Sequence, residues 1–150
     1  MKKLSHIDTR GEATMVDVSA KPVLLREAIA RGEIRLQKST VALIHSQTIA
    51  KGNVLAAARL AGIMAAKKTG ELIPLCHPLP LTYCEVNFEI PKTGDRIIIT
   101  ATAKVAAQTG VEMEALTAVT ISALTIYDMC KAVDKQMHIT GIKLVSKTKR

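Results

Sequence analysis

The chain has 150 residues, enough for one ordinary domain, and 48% of them are hydrophobic, so it can bury a core. Only 2% are aromatic, so the core must be built from smaller side chains, and we expect further burial between the subunits of an oligomer. The net charge of +8 favours an anionic partner. The aromatic residues Tyr83, Phe88 and Tyr127 are too few to form a stacking surface for single-stranded nucleic acid. We therefore predict a small anionic ligand and no nucleic-acid partner.

Neither export nor membrane insertion is indicated by the sequence. The N-terminal segment is polar, and no uncharged apolar stretch approaches the ~20 residues needed to cross a bilayer. The cysteines Cys76, Cys84 and Cys130 are an odd number without C-x-x-C spacing, which favours reduced thiols. With His77 they fit no standard zinc pattern, so we predict no metal site. The expected location is the cytoplasm, without membrane contact.

In the first third of the chain the sequence predicts an arm, a helix and a short strand. Residues 1–20 are polar without periodicity, which is typical of an extended arm. Ser19 is a candidate helix cap and Pro22 suits a first turn, so the apolar residues that follow predict a helix. Gly32 would end this helix, and the alternation over residues 33–36 predicts a short strand.

Two further helices are predicted before the middle of the chain. One begins near Ser39, and a longer one over residues 54–68 is capped by Asn53 and stopped by Gly70. Small residues recur every four positions along the longer helix, so another helix can approach that face closely. These small residues are Ala58, Gly62 and Ala66.

The second half of the chain predicts a hairpin, a long helix and a last strand. Three prolines restrict the loop over residues 72–80. Residues 81–90 and 96–106 read as strands joined by turn residues, which predicts an antiparallel hairpin. The third long helix runs over residues 112–135, and the last strand runs over residues 138–146.

The predicted order is strand, helices, hairpin, helix, strand. This order matches the split βαβ, ferredoxin-like plan of the α+β class, in which helices cover one face of an antiparallel sheet. The sequence contains no linker, internal repeat or low-complexity segment. We therefore predict a single domain over residues 1–150, with residues 1–20 as its arm.

The third long helix carries charges only near its ends. Residues 115–127 are all uncharged, so most of the helix should be buried. Glu112 and Glu114 stand at its start, and Asp128 and Lys131 lie three positions apart near its end. The pair at the end is either an ordinary surface ion pair or a proton-transfer pair whose pKa values are set by partial burial. The spacing alone does not decide between them.

Two other positions combine reactive residues with a restricted backbone. His77 follows Cys76 in the proline-rich loop, where it is either structural or an acid, base or phosphate donor. Lys51 precedes Gly52 and Asn53 at the mouth of a helix, where it is either a plain turn lysine or part of an anion site. Each of these signals is weak by itself.

Several longer segments resemble one family, the cyclic pyranopterin monophosphate synthases, also called molybdenum cofactor biosynthesis protein C. They are GEATMVDVS at 11–19, KGNV at 51–54, LIPLCHPL at 72–79, TGVEMEAL at 109–116 and LTIYDMCKAV at 124–133. The segments span the chain in the family's order. The resemblance is therefore far more specific than a short motif.

The resemblance implies an enzyme, a lyase-type synthase of molybdenum cofactor biosynthesis. Its substrate would be (8S)-3′,8-cyclo-7,8-dihydroguanosine 5′-triphosphate, made upstream by a radical S-adenosylmethionine enzyme, and its products cyclic pyranopterin monophosphate and pyrophosphate. The implied assembly is a hexamer, a trimer of dimers, of ferredoxin-like subunits with active sites at the subunit interfaces. No cofactor is implied, and whether magnesium accompanies the triphosphate is left open.

The resemblance also implies which residues form the site. Asp128 falls on the catalytic position, with Lys131 and Lys51 needed nearby. The positions that match substrate-binding residues are Leu75, Cys76, His77, Glu112, Met113 and Glu114.

In two places the sequence departs from the family's pattern. Relatives commonly continue past the position of Lys147 with a glycine-rich basic tail, whereas only three residues follow here, so we leave Lys147 outside the predicted site. Gln108 stands where a lysine is expected, which removes one phosphate contact. The alternative to an enzyme is a non-catalytic nucleotide- or polyphosphate-binding module, which would keep the basic residues but would not need Asp128 beside Lys131.

Overall fold

A computed structural model describes residues 2–150. Within that range the elements are β1 (Leu24–Arg35), α1 (Lys38–His45), α2 (Val54–Lys67), α3 (Thr69–Leu72), β2 (Tyr83–Glu89), β3 (Arg96–Ala107), α4 (Glu112–Cys130) and β4 (His138–Lys149). The segment before β1 has little regular structure, as predicted for the arm. None of the helices in this described part of the chain is long and apolar enough to cross a membrane.

The four strands form one antiparallel sheet in the order β2-β3-β1-β4. The helices α2 and α4 pack against each other and against the sheet. This arrangement confirms the predicted α+β, ferredoxin-like split βαβ fold. The predicted hairpin is β2 and β3, and the predicted second helix is α1.

The predicted first helix is wrong, because its residues form the first half of β1. The buried side of this strand is lined by alternate small or aliphatic residues, which are Ala28, Ala30, Gly32 and Ile34. At Gly32 an added Cβ would lie 2.8 Å from side-chain atoms of both Val119 and Ile142. The strand therefore needs small residues where α4 crosses it. Because alanine has a high intrinsic helix propensity, these residues were misread as part of a helix. The short strand predicted at 33–36 is the end of this longer one.

Close packing of α2 on α4 was predicted correctly from the four-residue spacing of small residues. An added Cβ at Gly62 would lie 2.1 Å from Ser122 Oγ and 2.9 Å from the carbonyl oxygen of Ala118. The Ser122 hydroxyl donates a hydrogen bond of 3.0 Å to the carbonyl of Ala58. Only glycine therefore allows this approach of the two helices.

Two predicted element ends and one predicted helix stop are wrong. The helix α2 ends at Lys67, one residue before its predicted end, but Gly70 does not stop it. Gly70 lies inside α3, where an added Cβ would be 3.0 Å from Pro78 Cα. The helix α4 ends at Cys130 rather than near residue 135, because the backbone NH groups of Val133 and Asp134 both turn back to the Cys130 carbonyl. The strand β4 continues to residue 149 because its C-terminal half pairs with the start of β1.

Candidate active site

A cavity of about 400 Å³ lies where the arm, the loop before β2 and the start of α4 meet. The loop brings its residues there because prolines restrict its backbone, and α4 presents its first turn. All six residues predicted to bind substrate line this cavity. They are Leu75, Cys76, His77, Glu112, Met113 and Glu114.

Two carboxylates of α4 dominate the floor of the cavity. Glu114 is 3% exposed, and burial, together with the nearby charge of Glu112, raises its pKa to about 7. One oxygen of each carboxylate, Oε2, is buried without a hydrogen-bond partner. Burial and the same two carboxylates also raise the pKa of the Cys76 thiol. Such unpaired acceptors suit a ligand edge that carries several NH donors.

Basic residues that were not predicted as site residues line the rest of the cavity. They are Lys21, Arg26, Lys147 and Lys149, with His6 from the arm. Lys147, which was left outside the predicted site, lines the cavity with its Nζ 3.3 Å from Glu112 Oε1. The signal that could have found it was the resemblance itself, which extends to this position. Lys149 could be found only from the path of β4 beside β1, which pairs it with Arg26.

The arm forms one wall of the cavity and is fastened there by two side chains. His77 Nε2 lies 2.6 Å from the carbonyl oxygen of Val16, so this nitrogen carries the proton and donates it. Gln108 Nε2 donates a hydrogen bond of 3.3 Å to the carbonyl of Ser19. Gln108, which departs from the family's expected lysine, therefore contacts the arm.

The predicted catalytic residues form a second cluster at the other end of α4. Lys131 Nζ lies 2.9 Å from Asp128 Oδ1, and Lys51 Nζ lies 3.1 Å from Asp128 Oδ2. Lys51 also donates a hydrogen bond of 3.1 Å to the backbone carbonyl of Asp128. The loop between α1 and α2 supplies Lys51, and the C-terminal end of α4 supplies Asp128 and Lys131. Lys51 is thus in direct contact with a residue 77 positions away in the sequence.

The electrostatics of this cluster come from ion pairing. Hydrogen bonds and charge from Lys131 and Lys51 lower the pKa of Asp128, and Asp128 raises the pKa of Lys131. All three side chains are about half exposed in the single chain. The suggestion that partial burial within this chain sets their pKa values is therefore wrong. A carboxylate held between two ammonium groups places positive charge near an anion, and it becomes a better base only when a ligand draws the ammonium groups away.

One chain does not bring the two groups together. Sixteen positions separate Glu112 from Asp128 along α4, which at ~1.5 Å per residue is about 24 Å. None of the three residues of the Asp128 cluster lines the cavity. The buried middle of α4 lies between them.

Metal-binding arrangements are absent from the described part of the chain. Among residues 2–150 no group of three or more His, Cys, Asp or Glu side chains is placed to hold a metal ion. Cys76, Cys84 and Cys130 are free thiols.

Comparison with known proteins places this geometry in a family. Cyclic pyranopterin monophosphate synthase of Chloroflexus aggregans is 60% identical over 145 residues, which cover 97% of this chain and 88% of that protein. The protein of the same name from Parvibaculum lavamentivorans is 56% identical, over 98% of this chain and 92% of its own length. Cyclic pyranopterin monophosphate synthase 3 of Mycobacterium bovis is 59% identical, over 97% and 81%. The model of the MoaC family matches residues 15–150, and the chain belongs to that family.

Proposed function

We propose that this chain is the enzyme of molybdenum cofactor biosynthesis that converts (8S)-3′,8-cyclo-7,8-dihydroguanosine 5′-triphosphate into cyclic pyranopterin monophosphate and pyrophosphate. Family membership and the names of its relatives support this reaction. The observation that carries the proposal is the contact of Asp128 with both Lys51 and Lys131. A non-catalytic binding module would have no use for this cluster.

The cavity has the two kinds of groups that such a substrate needs. Its lysines and Arg26 offer positive charge to a triphosphate, and the unpaired oxygens of Glu112 and Glu114 accept hydrogen bonds from the NH groups of a guanine edge. His77 lines the same cavity, with its Nε2 donating to the Val16 carbonyl of the arm. Base and phosphates would thus be held by different parts of one cavity.

The Asp128 cluster would supply the chemistry. Ring opening and reclosure require several proton transfers, and the Asp128 carboxylate can accept a proton while Lys131 returns one. Formation of the cyclic phosphate expels pyrophosphate, so negative charge grows on the leaving group. The ammonium groups of Lys51 and Lys131 would stabilise that charge. Magnesium bound to the triphosphate would add to the same stabilisation, although no step here depends on it.

A distance of about 24 Å along α4 is too long for one substrate to touch both groups of one chain. We infer that the complete site combines the cavity of one subunit with the Asp128 cluster of another, as in the hexamer that the sequence resemblance implies. The cluster is half exposed in a single chain, so a second subunit can reach it.

The proposal is tested by pyrophosphate release from the purified protein given the cyclised triphosphate. We expect release by the parent and a loss of at least about 100-fold in Asp128→Asn, which keeps the shape of the side chain but cannot accept the proton. A folded Asp128→Asn protein with parental turnover would contradict the assignment. If the parent binds the compound and releases nothing, the binding-module alternative is correct.

The composite site has its own test. Asp128→Asn and Glu114→Ala are each expected to be inactive, but subunits exchanged between them would contain some interfaces with one intact cavity and one intact cluster. We expect mixing under mild denaturation and refolding to restore part of the parental activity. Failure of the refolded mixture to recover activity, when refolded parent does recover, would show that both groups act within one chain.

A further inference from the structure

A buried carboxylate lies just beyond the Asp128 cluster, in the turn that follows α4. Asp134 is 2% exposed and takes no part in the cavity or the cluster. Its Oδ2 accepts hydrogen bonds from the backbone NH of Gln37, at 2.9 Å, and from the hydroxyl of Thr40, at 2.8 Å. Its Oδ1 accepts one from the backbone NH of Gln136, at 2.9 Å. Both oxygens are therefore used in fixed directions.

Asp134 is firmly attached to the end of α4. It stands three residues after Lys131, and its backbone NH donates a hydrogen bond of 3.0 Å to the carbonyl of Cys130. Cys130 is itself fully buried. Any movement of Asp134 therefore moves the turn that carries Lys131.

The partners of Asp134 lead to Lys51. Gln37 and the buried Thr40 form the start of α1, and the short loop after α1 carries Lys51. That loop is held to α1 by a hydrogen bond of 3.1 Å from the NH of Thr48 to the carbonyl of Leu43, and by the buried side chain of Ile49. A displacement at the start of α1 is thus carried to Lys51.

Two contacts therefore join the Lys51 segment to the end of α4. The outer one is the half-exposed contact of Lys51 with Asp128. In the proposed reaction the groups of this contact change partners. The inner one is the buried contact of Asp134 with Thr40 and the NH of Gln37. The inner contact can persist through the reaction cycle, because its groups neither bind the substrate nor transfer protons in the proposed reaction.

We propose that Asp134 is a positioning residue for the proposed reaction: through Thr40 and the start of α1 it holds Lys51 beside Asp128 and Lys131. The proposal rests on the function proposed above. It assigns Asp134 no contact with substrate. Its role is to keep three groups in their relative positions while their own contacts change.

The test uses Thr40→Val, which removes the hydroxyl donor, keeps the shape of the side chain and leaves the charge of Asp134 in place. We expect kcat for pyrophosphate release to fall about tenfold, because a small misplacement of Lys51 weakens every step that it assists. The KM should stay within about twofold of the parent, because the cavity residues that hold the substrate do not include Thr40. Thr40→Ser restores the donor and should restore kcat.

The matched control is Thr69→Val, the same substitution at a threonine that is also 1% exposed and donates hydrogen bonds to the carbonyls of Ala65 and Ala66. It should lower stability as Thr40→Val does but leave kcat near the parental value. Rates are compared per folded protein, well below the melting temperature. If Thr40→Val does not fold, Thr40→Ala replaces it with the same expectations.

Parental kcat in folded Thr40→Val, or an equal loss of kcat in Thr69→Val, would overturn the positioning role. A fall in kcat that Thr40→Ser does not reverse would overturn it too. A parent that releases no pyrophosphate would instead contradict the proposed function, so the two failures are distinguished within one experiment.

Discussion

Replacing Glu114 by glutamine should change how the stability of the protein depends on pH. Burial raises the pKa of Glu114 from 4.5 to about 7 in the folded chain, while in the unfolded chain the carboxyl keeps its usual value. Between these values the folded state holds a proton that the unfolded state has lost, so the free energy of unfolding falls as pH rises. At ~1.4 kcal/mol for each pH unit, the loss is about 3 kcal/mol and is complete above pH 7.

Glutamine at this position stays neutral, so Glu114→Gln should not suffer this loss. We expect the variant to gain stability relative to the parent as pH rises from 5 to 8, by up to about 3 kcal/mol. Urea unfolding at several pH values, without substrate and at one protein concentration, measures the difference. The control is Glu71→Gln, which removes an exposed carboxylate on α3. A stability difference between parent and Glu114→Gln that stays constant from pH 5 to 8 would refute the reasoning.

Three further predictions concern the contacts that hold the fold. Gly62→Ala should lower the free energy of unfolding by about 1–3 kcal/mol in thermal unfolding, because the new methyl group would overlap Ser122 Oγ. Adding Ser122→Ala should recover part of this loss, and no recovery would refute the contact. Asn53→Ala removes the side-chain cap of α2 and should cost about 1 kcal/mol in urea unfolding, whereas an unchanged midpoint would refute the cap. Asp134→Asn should be less stable than the parent at pH 7. Burial disfavours the charged form of Asp134, but its hydrogen bonds outweigh burial and lower its pKa below 3.8. The stability that the charged carboxylate gives to the folded protein is therefore lost as the pH falls through that lowered value. A deficit in Asp134→Asn that persists unchanged in acid would contradict this account.

The sequence predicted the hairpin, the long helices and the α+β class because their patterns are local. It failed at β1, where Ala28, Ala30 and Gly32 occupy the buried side. These residues must be small because α4 crosses the strand at Val119. This crossing cannot be inferred from the sequence of the strand itself. Tertiary packing outweighed intrinsic propensity at this position.

The candidate site was predicted almost entirely through the family resemblance. Spacing alone indicated an interaction of Asp128 with Lys131, since three positions along a helix bring two side chains to one face. It gave no indication that Lys51 joins them, because that contact depends on the path of the loop after α1. The basic lining of the cavity was also missed, since Arg26 and Lys149 are brought together only by the pairing of β1 with β4.

The arm that walls the cavity links occupancy of the site to the order of the N-terminal segment. Val16 and Ser19 are held by His77 and Gln108. A ligand that contacts both the cavity floor and the arm must therefore bind more tightly when the arm is attached than when it is detached. By reciprocity, such a ligand must also make the arm harder to detach. Limited proteolysis between residues 1 and 20 would then report binding, without any measurement of turnover. Truncation of the arm would weaken affinity even though the Asp128 cluster lies at the other end of α4.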